Sequence, residues 1–149
     1  MPQFTMPSPV GFLTAVEENG VITSLWFGGK EETPPPTPLL QEVQRQLTAY
    51  FAGMRQDFDL PLAPKGTPFQ LAVWQALRTI PYGQTRTYGE IAAAIERPKA
   101  CRAVGMANHA NPIAIVIPCH RVVGKSGSLT GYAGGLAVKQ ALLALEQKK

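Results

Sequence analysis

The sequence contains few cysteines, few histidines and no long apolar run. Two cysteines among 149 residues cannot form the disulfide framework of a small secreted protein. The apolar segment 113–117 has the length of a strand, whereas a membrane-spanning helix needs ~20 apolar residues. The amino-terminal segment lacks a basic stretch followed by an apolar one, which a secretory signal requires. We therefore expect a cytoplasmic protein that has no membrane partner.

Acidic residues are scarce in the second part of the chain. Residues 63–149 contain eleven Lys or Arg and three acids, which gives a net charge of +8. Residues 1–62 contain three basic residues and seven acids, which gives −4. A basic region attracts polyanions, because each phosphate that it neutralises releases counterions. An ordinary solvated surface can have the same composition, so charge alone leaves both interpretations open.

The first part of the chain has the residue spacing of a small α/β domain. Apolar residues spaced by two along residues 3–28 are typical of short strands, and Asn19-Gly20 predicts a tight hairpin turn. Residues 39–54 have the apolar spacing of a helix. The proline- and glycine-containing segment 60–66 is predicted to be a linker. The predicted domains are residues 1–62 and 63–149.

The second part of the chain is predicted to be mostly helical. A helix is expected over residues 68–80, and Thr87 with Glu90 forms the capping-box pattern that begins another. A third helix is expected over residues 98–108. These two short helices make a helix-turn-helix candidate, although many helical proteins contain similar pairs. A last helix is expected over residues 136–147.

Small side chains are concentrated in the predicted helix 98–108. Ala103, Gly105 and Ala107 allow another surface to approach its backbone closely. One interpretation is tight packing against a neighbouring helix. The other is a helix laid against DNA, where the minor groove, about 6 Å wide, demands small residues more than the major groove does.

A cysteine and a histidine follow the apolar segment 113–117, which we predict to be a buried strand ended by Pro118. The thiolate of Cys119 would be the reactive form, and an imidazole such as that of His120 favours it. Adjacent side chains in an extended strand point to opposite faces. Cys119 and His120 can therefore cooperate only if Pro118 places them in a turn or if a water molecule bridges them.

Three other interpretations apply to these residues. Cys101, His109, Cys119 and His120 match no common zinc-finger spacing, and Cys101 and His109 fall on different helical faces, so no metal is expected. A cysteine protease would need its base from elsewhere in the chain, and only His109 is available. The cysteines can also be plain core residues, which we expect for Cys101.

Two further features can contribute to a site. The glycine-rich loop 124–135, which contains Tyr132, can present backbone N–H donors to a planar ligand, or it can be a mobile surface loop. Glu146 is the only acid in the last fifty residues. Such a carboxylate is usually solvated, but it would orient His120 if it turned inward.

The segment Pro118–Val122 resembles the O6-alkylguanine-DNA alkyltransferase family. The similarity extends over residues 67–147, whereas residues 1–62 resemble the variable amino-terminal domain of the family only in general pattern. The resemblance is carried by Phe69–Trp74, Ile80–Gly83, Thr87–Ala92, Arg102–Gly105, Asn111-Pro112 and Tyr132–Leu136. It implies an RNase H-like domain with a small antiparallel sheet and a helix. A mostly α, winged helix-turn-helix-like domain would follow.

The resemblance also implies how a substrate would be bound. The partner would be duplex DNA containing O6-alkylguanine, held at its minor groove by a monomer of the protein. Arg102 would replace the extruded base, on the same helix as Ala103 and Gly105. Tyr88 would rotate the nucleotide out of the stack, because a nucleophile cannot reach the lesion within it. The guanine edge would be read by backbone groups at Val122, Tyr132, Ala133 and Gly134.

The chemistry implied by the resemblance needs no cofactor. Cys119 would attack the alkyl carbon in line, and Tyr88 would donate a proton to the departing guanine. A Glu146–His120–water–Cys119 relay would deprotonate the thiol, and Asn111 would brace the turn. Because the thioether product has no obvious hydrolytic route back, each protein molecule would act once.

The sequence departs from the family pattern in three places. Ala141 replaces a frequent Trp, Ala133 replaces a frequent Ser, and the amino-terminal half has no Cys or His for the zinc that some relatives bind. Two other functions remain as alternatives. A non-catalytic lesion-binding protein would not retain Cys119 in an intact motif. A plain helix-turn-helix regulator would not need Cys119, His120, Asn111 and Glu146 together.

Overall fold

The structure, a computed structural model, describes residues 1–147 of the chain. It divides into two compact units, residues 1–64 and the part that begins at Lys65. The first unit has a small antiparallel sheet with one helix, and the second is mostly helical. This arrangement confirms the predicted fold class. None of the helices within residues 1–147 has the length and apolar character needed to cross a membrane.

The first unit consists of a three-stranded sheet and a helix. Strands β1 (Gln3–Met6), β2 (Leu13–Glu18) and β3 (Val21–Phe27) pair in the order β1-β2-β3. The predicted hairpin at Asn19-Gly20 is confirmed, and both residues have the positive φ that such a turn needs. Helix α1 (Pro38–Phe51) supplies a buried apolar stripe to the core. That stripe consists of Leu40, Val43, Leu47 and Tyr50.

The second unit begins with helix α2 (Pro68–Leu77). Strand β4 (Arg86–Thr87) leads into α3 (Tyr88–Ala94), and α4 (Cys101–His109) follows. Strand β5 (Val122–Val123) pairs in parallel with β4, and α5 (Leu136–Gln147) ends the unit. The predicted pair of short helices is thus present as α3 and α4.

Local sequence signals fix where two of these helices begin. Thr87 accepts a hydrogen bond from the Glu90 backbone, and the Glu90 side chain accepts one from the Thr87 backbone, which confirms the predicted capping box. Thr67 and Gln70 form a second capping box at α2.

The indole nitrogen of Trp74 donates to the carbonyl of Ala107 at 2.8 Å. This buried bond fixes α2 against α4.

The predicted strand over residues 113–117 is wrong. Residue 113 makes only an isolated bridge, and the segment turns through residues 114–116. Ile115 has φ +70°, which no strand residue adopts. The segment is buried as predicted, because apolar composition sets burial. Its backbone bends because the Asn111 side chain bonds to its peptide groups in place of a neighbouring strand.

The prediction that Cys101 is a core residue is also wrong. Cys101 is the first residue of α4 and is exposed. The buried face of α4 consists of Val104, Ala107 and Asn108. Cys101 lies about one turn before Val104, where the helix has only just begun. The buried apolar stripe therefore does not reach residue 101.

Candidate active site

A side-chain clamp shapes the turn that precedes Cys119. Asn111 Nδ2 donates to the carbonyls of Ile113 at 3.3 Å and Ile117 at 2.8 Å, and its Oδ1 accepts from the Ile113 amide at 3.0 Å. The clamp encloses Ile115, a β-branched residue in the left-handed region. Cys119 then starts a short 3₁₀ turn, Cys119–Arg121. Its amide donates to the carbonyl of Ile117 at 2.7 Å.

The thiol of Cys119 is buried, with 4% of the residue exposed. Burial raises the pKa of the thiol, because the thiolate loses its hydration. Hydrogen bonds from Asn111 and Tyr132 and the positive charge of Lys139 act in the opposite direction on this pKa without overcoming burial. The thiol is therefore protonated at neutral pH. A nucleophilic reaction at Cys119 needs a base to remove its proton.

His120 and Glu146 form a buried pair. Nε2 of His120 lies 2.7 Å from Oε2 of Glu146, and neither side chain is more than 1% exposed. Burial lowers the pKa of His120, although the Glu146 carboxylate opposes this shift, so the imidazole is neutral at pH 7. The carboxylate can only accept, so Nε2 carries the proton and Nδ1 carries the lone pair. Nδ1 is buried and makes no hydrogen bond within residues 1–147.

Arg121 is a residue of this cluster that the sequence did not single out. Its Nε donates to Glu146 Oε1 at 2.8 Å and its Nη2 donates to Oε2 at 3.1 Å. Nη1 donates to the carbonyl of Ile80, and the guanidinium lies 5.7 Å from the centroid of the Tyr82 ring. The bidentate pair fixes the carboxylate that holds His120. The one feature of the sequence that could have indicated a role for Arg121 was its position directly after His120.

Lys139 is a buried cation that sequence reasoning also missed. Its Nζ donates to the carbonyl of Val122 at 2.6 Å and to that of Thr130 at 3.4 Å. The residue is 0% exposed and makes no ion pair with a carboxylate among residues 1–147. Burial lowers the pKa of Lys139, and the nearby Cys119 opposes that shift. The positive charge therefore favours a thiolate on Cys119.

The structure brings Tyr88 and the 124–135 loop together. Tyr88 is half-buried at the first residue of α3, and its hydroxyl lies 2.6 Å from the hydroxyl of Thr130. In the same loop Tyr132 is buried and its side chain acts to lower the pKa of the Cys119 thiol, whereas Ala133 is exposed and Gly134 is partly exposed. Val122 is buried. Of the predicted substrate-reading positions, Val122 directly follows the Cys119–Arg121 turn and Tyr132 acts on the Cys119 thiol.

The exposed face of helix α4 includes two of the three small residues, Ala103 and the partly exposed Gly105, whereas Ala107 is buried. Arg102 and Ala103 are exposed, and so are Met106 and His109. A Cβ placed on Gly105 would meet only the edge of the Tyr88 ring, at an ordinary 3.9 Å. Internal packing therefore does not require glycine at residue 105. This observation favours the interpretation that another molecule approaches α4 closely.

A Gly105→Ala variant distinguishes a role of Gly105 in helix packing from a role in DNA binding. The variant is expected to resist unfolding better by up to ~1 kcal/mol, because alanine stabilises helix interiors relative to glycine. It is expected to bind duplex DNA more weakly, because the added methyl group lies on the face left open to a ligand. Urea unfolding and a duplex-binding titration measure the two effects. Loss of stability with unchanged DNA affinity would show that Gly105 serves packing.

Comparison with known proteins gives the same family for both units. Residues 3–64 match a family model described as "6-O-methylguanine DNA methyltransferase, ribonuclease-like domain". Residues 68–148 match the model described as "6-O-methylguanine DNA methyltransferase, DNA binding domain". The two matches together span nearly the whole chain.

Individual relatives are similar over nearly their full lengths. The methylated-DNA–protein-cysteine methyltransferase of Methanosarcina acetivorans is 53% identical over 146 residues, covering 93% of this chain and 94% of the relative. The constitutive methylated-DNA–protein-cysteine methyltransferase of Bacillus subtilis is 49% identical, covering 96% and 93%. A crystal structure of Mycobacterium tuberculosis OGT in complex with DNA has a TM-score of 0.89 and 51% identity, covering 97% and 92%.

Proposed function

Because this chain belongs to the 6-O-methylguanine DNA methyltransferase family, we propose that it repairs O6-alkylated guanine in DNA by moving the alkyl group to Cys119. The observation that carries this assignment is a buried thiol next to a neutral histidine that is itself held by a buried carboxylate. This arrangement supplies both a nucleophile and the base that it needs. The reaction is direct reversal, so no DNA strand is cut.

The first chemical step is removal of the thiol proton. The lone pair on Nδ1 of His120 is the base, and it acts on Cys119 through a water molecule. Glu146 keeps the imidazole in the tautomer that leaves Nδ1 unprotonated and stabilises the imidazolium that forms. Lys139 stabilises the thiolate. Arg121 acts through Glu146, whose orientation it fixes.

Alkyl transfer then exchanges one bond for another. A bond forms between Cys119 Sγ and the alkyl carbon as the bond between that carbon and guanine O6 breaks. The bonding electron pair leaves with the guanine, and Tyr88 supplies a proton to the ring. The products are unmodified guanine and a thioether on Cys119, and the thiol proton taken up by His120 balances the proton that Tyr88 has given to guanine. A thioether has no hydrolytic route back to a thiol, so each molecule reacts once.

The substrate has to leave the base stack before this chemistry can occur. We place duplex DNA on the exposed face of α4, with its minor groove against Ala103 and Gly105 and with Arg102 filling the gap left by the extruded base. Tyr88 and the backbone at Val122, Tyr132, Ala133 and Gly134 hold the flipped guanine. All of these residues belong to the predicted second domain, 63–149, and one protein molecule supplies the whole site.

Cys119 has to remain a thiol in order to react. Both cysteines are free in the structure. A reducing compartment keeps such thiols available, so we place the protein in the cytoplasm. No metal ion or cofactor takes part in the steps described.

The proposal is tested by measuring the intact mass of the protein after incubation with a duplex that contains one O6-methylguanine, followed by peptide mapping. The expected result is a gain of one methylene group on the Cys119 peptide, saturating at one per protein molecule. An unchanged mass with tight binding to the lesion duplex would instead establish a non-catalytic lesion-binding protein.

A further inference from the structure

Thr130 contacts several parts of the site at once. Its hydroxyl lies 2.6 Å from that of Tyr88, and its backbone carbonyl accepts from Nζ of Lys139 at 3.4 Å. The same Nζ donates to the carbonyl of Val122, which directly follows the Cys119–Arg121 turn. Thr130 therefore connects the start of α3, through Lys139, to Val122, which lies three residues after the nucleophile.

The position of Thr130 is fixed by close packing as well. A Cβ on Gly124 would lie 3.0 Å from the Thr130 methyl group, closer than side chains normally approach. The amide of Gly124 also donates to the carbonyl of Ser128 at 2.7 Å, which closes the loop just before Thr130. The absence of a side chain at Gly124 thus allows Thr130 to sit against the loop. The Thr130 methyl group thus packs against residue 124, and the Thr130 hydroxyl lies 2.6 Å from that of Tyr88.

The Tyr88 ring is confined from a second direction. Its Cδ1 and Cε1 atoms lie beside Gly105 of α4, at an ordinary contact distance from a Cβ built there. The ring is therefore bordered by α4, and its hydroxyl is held by Thr130. Of the two contacts, only the one with Thr130 acts on the oxygen atom that carries the exchangeable proton.

We propose that Thr130 is a positioning residue for Tyr88 in alkyl transfer, an inference that rests on the proposed function. A threonine hydroxyl can accept the Tyr88 proton in a hydrogen bond before reaction. It can also donate to the tyrosine oxygen once that oxygen has given its proton to guanine. The Tyr88 oxygen thus keeps a hydrogen-bonding partner throughout the transfer. Thr130 itself touches neither the alkyl group nor the sulfur.

The test is a double-mutant cycle read by single-turnover alkyl transfer at saturating protein, using a duplex with one O6-methylguanine. The variants are Thr130→Val, Thr130→Ser, Tyr88→Phe and the Thr130→Val/Tyr88→Phe double variant. Thr130→Val removes only the hydroxyl from a side chain of nearly the same shape. It is expected to slow transfer about 3- to 10-fold, the size expected from loss of one net hydrogen bond.

Three further results are expected in the same assay. Thr130→Ser keeps the hydroxyl and is expected to transfer within about twofold of wild type, a smaller effect than the loss of one net hydrogen bond. Thr130→Val causes no further slowing when Tyr88 is already Phe. Ser128→Ala, which removes another hydroxyl from the same loop, leaves the rate unchanged, because the Ser128 hydroxyl donates to the carbonyl of Lys125 and bonds to neither Tyr88 nor Thr130 within residues 1–147.

Additive slowing in the double variant would overturn the proposal, because Thr130 would then act without Tyr88. Equal slowing by Thr130→Ser and Thr130→Val would overturn it as well, because shape rather than the hydroxyl would be responsible. A wild-type protein that gains no alkyl group on Cys119 would contradict the proposed function itself. Wild-type transfer combined with an additive cycle would contradict only the role of Thr130.

Discussion

Replacing Cys119 with serine is expected to abolish alkyl transfer while leaving binding to a lesion-containing duplex within about twofold of wild type, since exposed binding residues are untouched. Serine differs from cysteine by one atom, and the Asn111 and Tyr132 side chains that lower the pKa of the thiol can interact with a hydroxyl in the same place. The buried site therefore keeps its shape. A hydroxyl is far harder to deprotonate than a thiol, so the rate is expected to fall by at least about 1,000-fold, as when other active-site nucleophiles are removed.

The second cysteine provides the matched control. Cys101 is exposed at the start of α4, on the helix assigned to DNA contact, but it makes no hydrogen bond to the site residues within 1–147. Intact mass measurement is expected to find one alkyl group on Cys101→Ser and none on Cys119→Ser. An alkyl group on any residue of Cys119→Ser would mean that the nucleophile has been misassigned.

Replacing Glu146 with glutamine is expected to damage stability and rate together. One carboxylate accepts hydrogen bonds from both His120 and Arg121, and all three side chains are buried. Glutamine leaves the Arg121 guanidinium without a counter-charge, and breaking a buried ion pair in this way costs about 3–5 kcal/mol. The amide NH2 would also face a donor from His120 or Arg121. A lower urea midpoint and slower single-turnover transfer are the two readouts.

A second variant separates the two effects of Glu146. In Arg121→Met/Glu146→Gln both charges are absent, so much of the lost stability is expected to return. Alkyl transfer is expected to remain slow, because a neutral amide does not stabilise the imidazolium of His120. Recovery of both properties in the double variant would mean that Glu146 serves only to neutralise Arg121. An unchanged urea midpoint in Glu146→Gln would contradict the buried pair itself.

The parts of the fold that follow from local sequence were predictable. The capping box at Thr87 and Glu90 specifies a helix start through bonds between residues three apart, and the hairpin at Asn19-Gly20 needs only local backbone angles. The last helix, Leu136–Gln147, follows from its apolar periodicity. In each case the signal and the structure that it specifies occupy the same short stretch of chain.

The features that depend on individual side-chain hydrogen bonds were not predictable from apolar patterns. The apolar run 113–117 suits a buried strand or a buried turn equally well, and the Asn111 side chain decides between them. Lys139 lies on a helix where a lysine is normally solvated. It is buried because two carbonyls from residues 9 and 17 positions earlier meet its ammonium group. Nothing in the sequence around Lys139 signals those acceptors.

The backbone at Ile115 has a consequence for the readiness of the site. Glycine would reach φ +70° without steric conflict, yet a β-branched residue occupies the position at a strain of about 1–3 kcal/mol. Burial of the isoleucine and the Asn111 bonds offset that strain. With glycine at residue 115, the folded turn could also adopt many other conformations. Each binding event would then cost the conformational entropy of ordering the turn. With isoleucine that entropy is lost once, during folding, so the sulfur is already aligned when an alkylated base arrives.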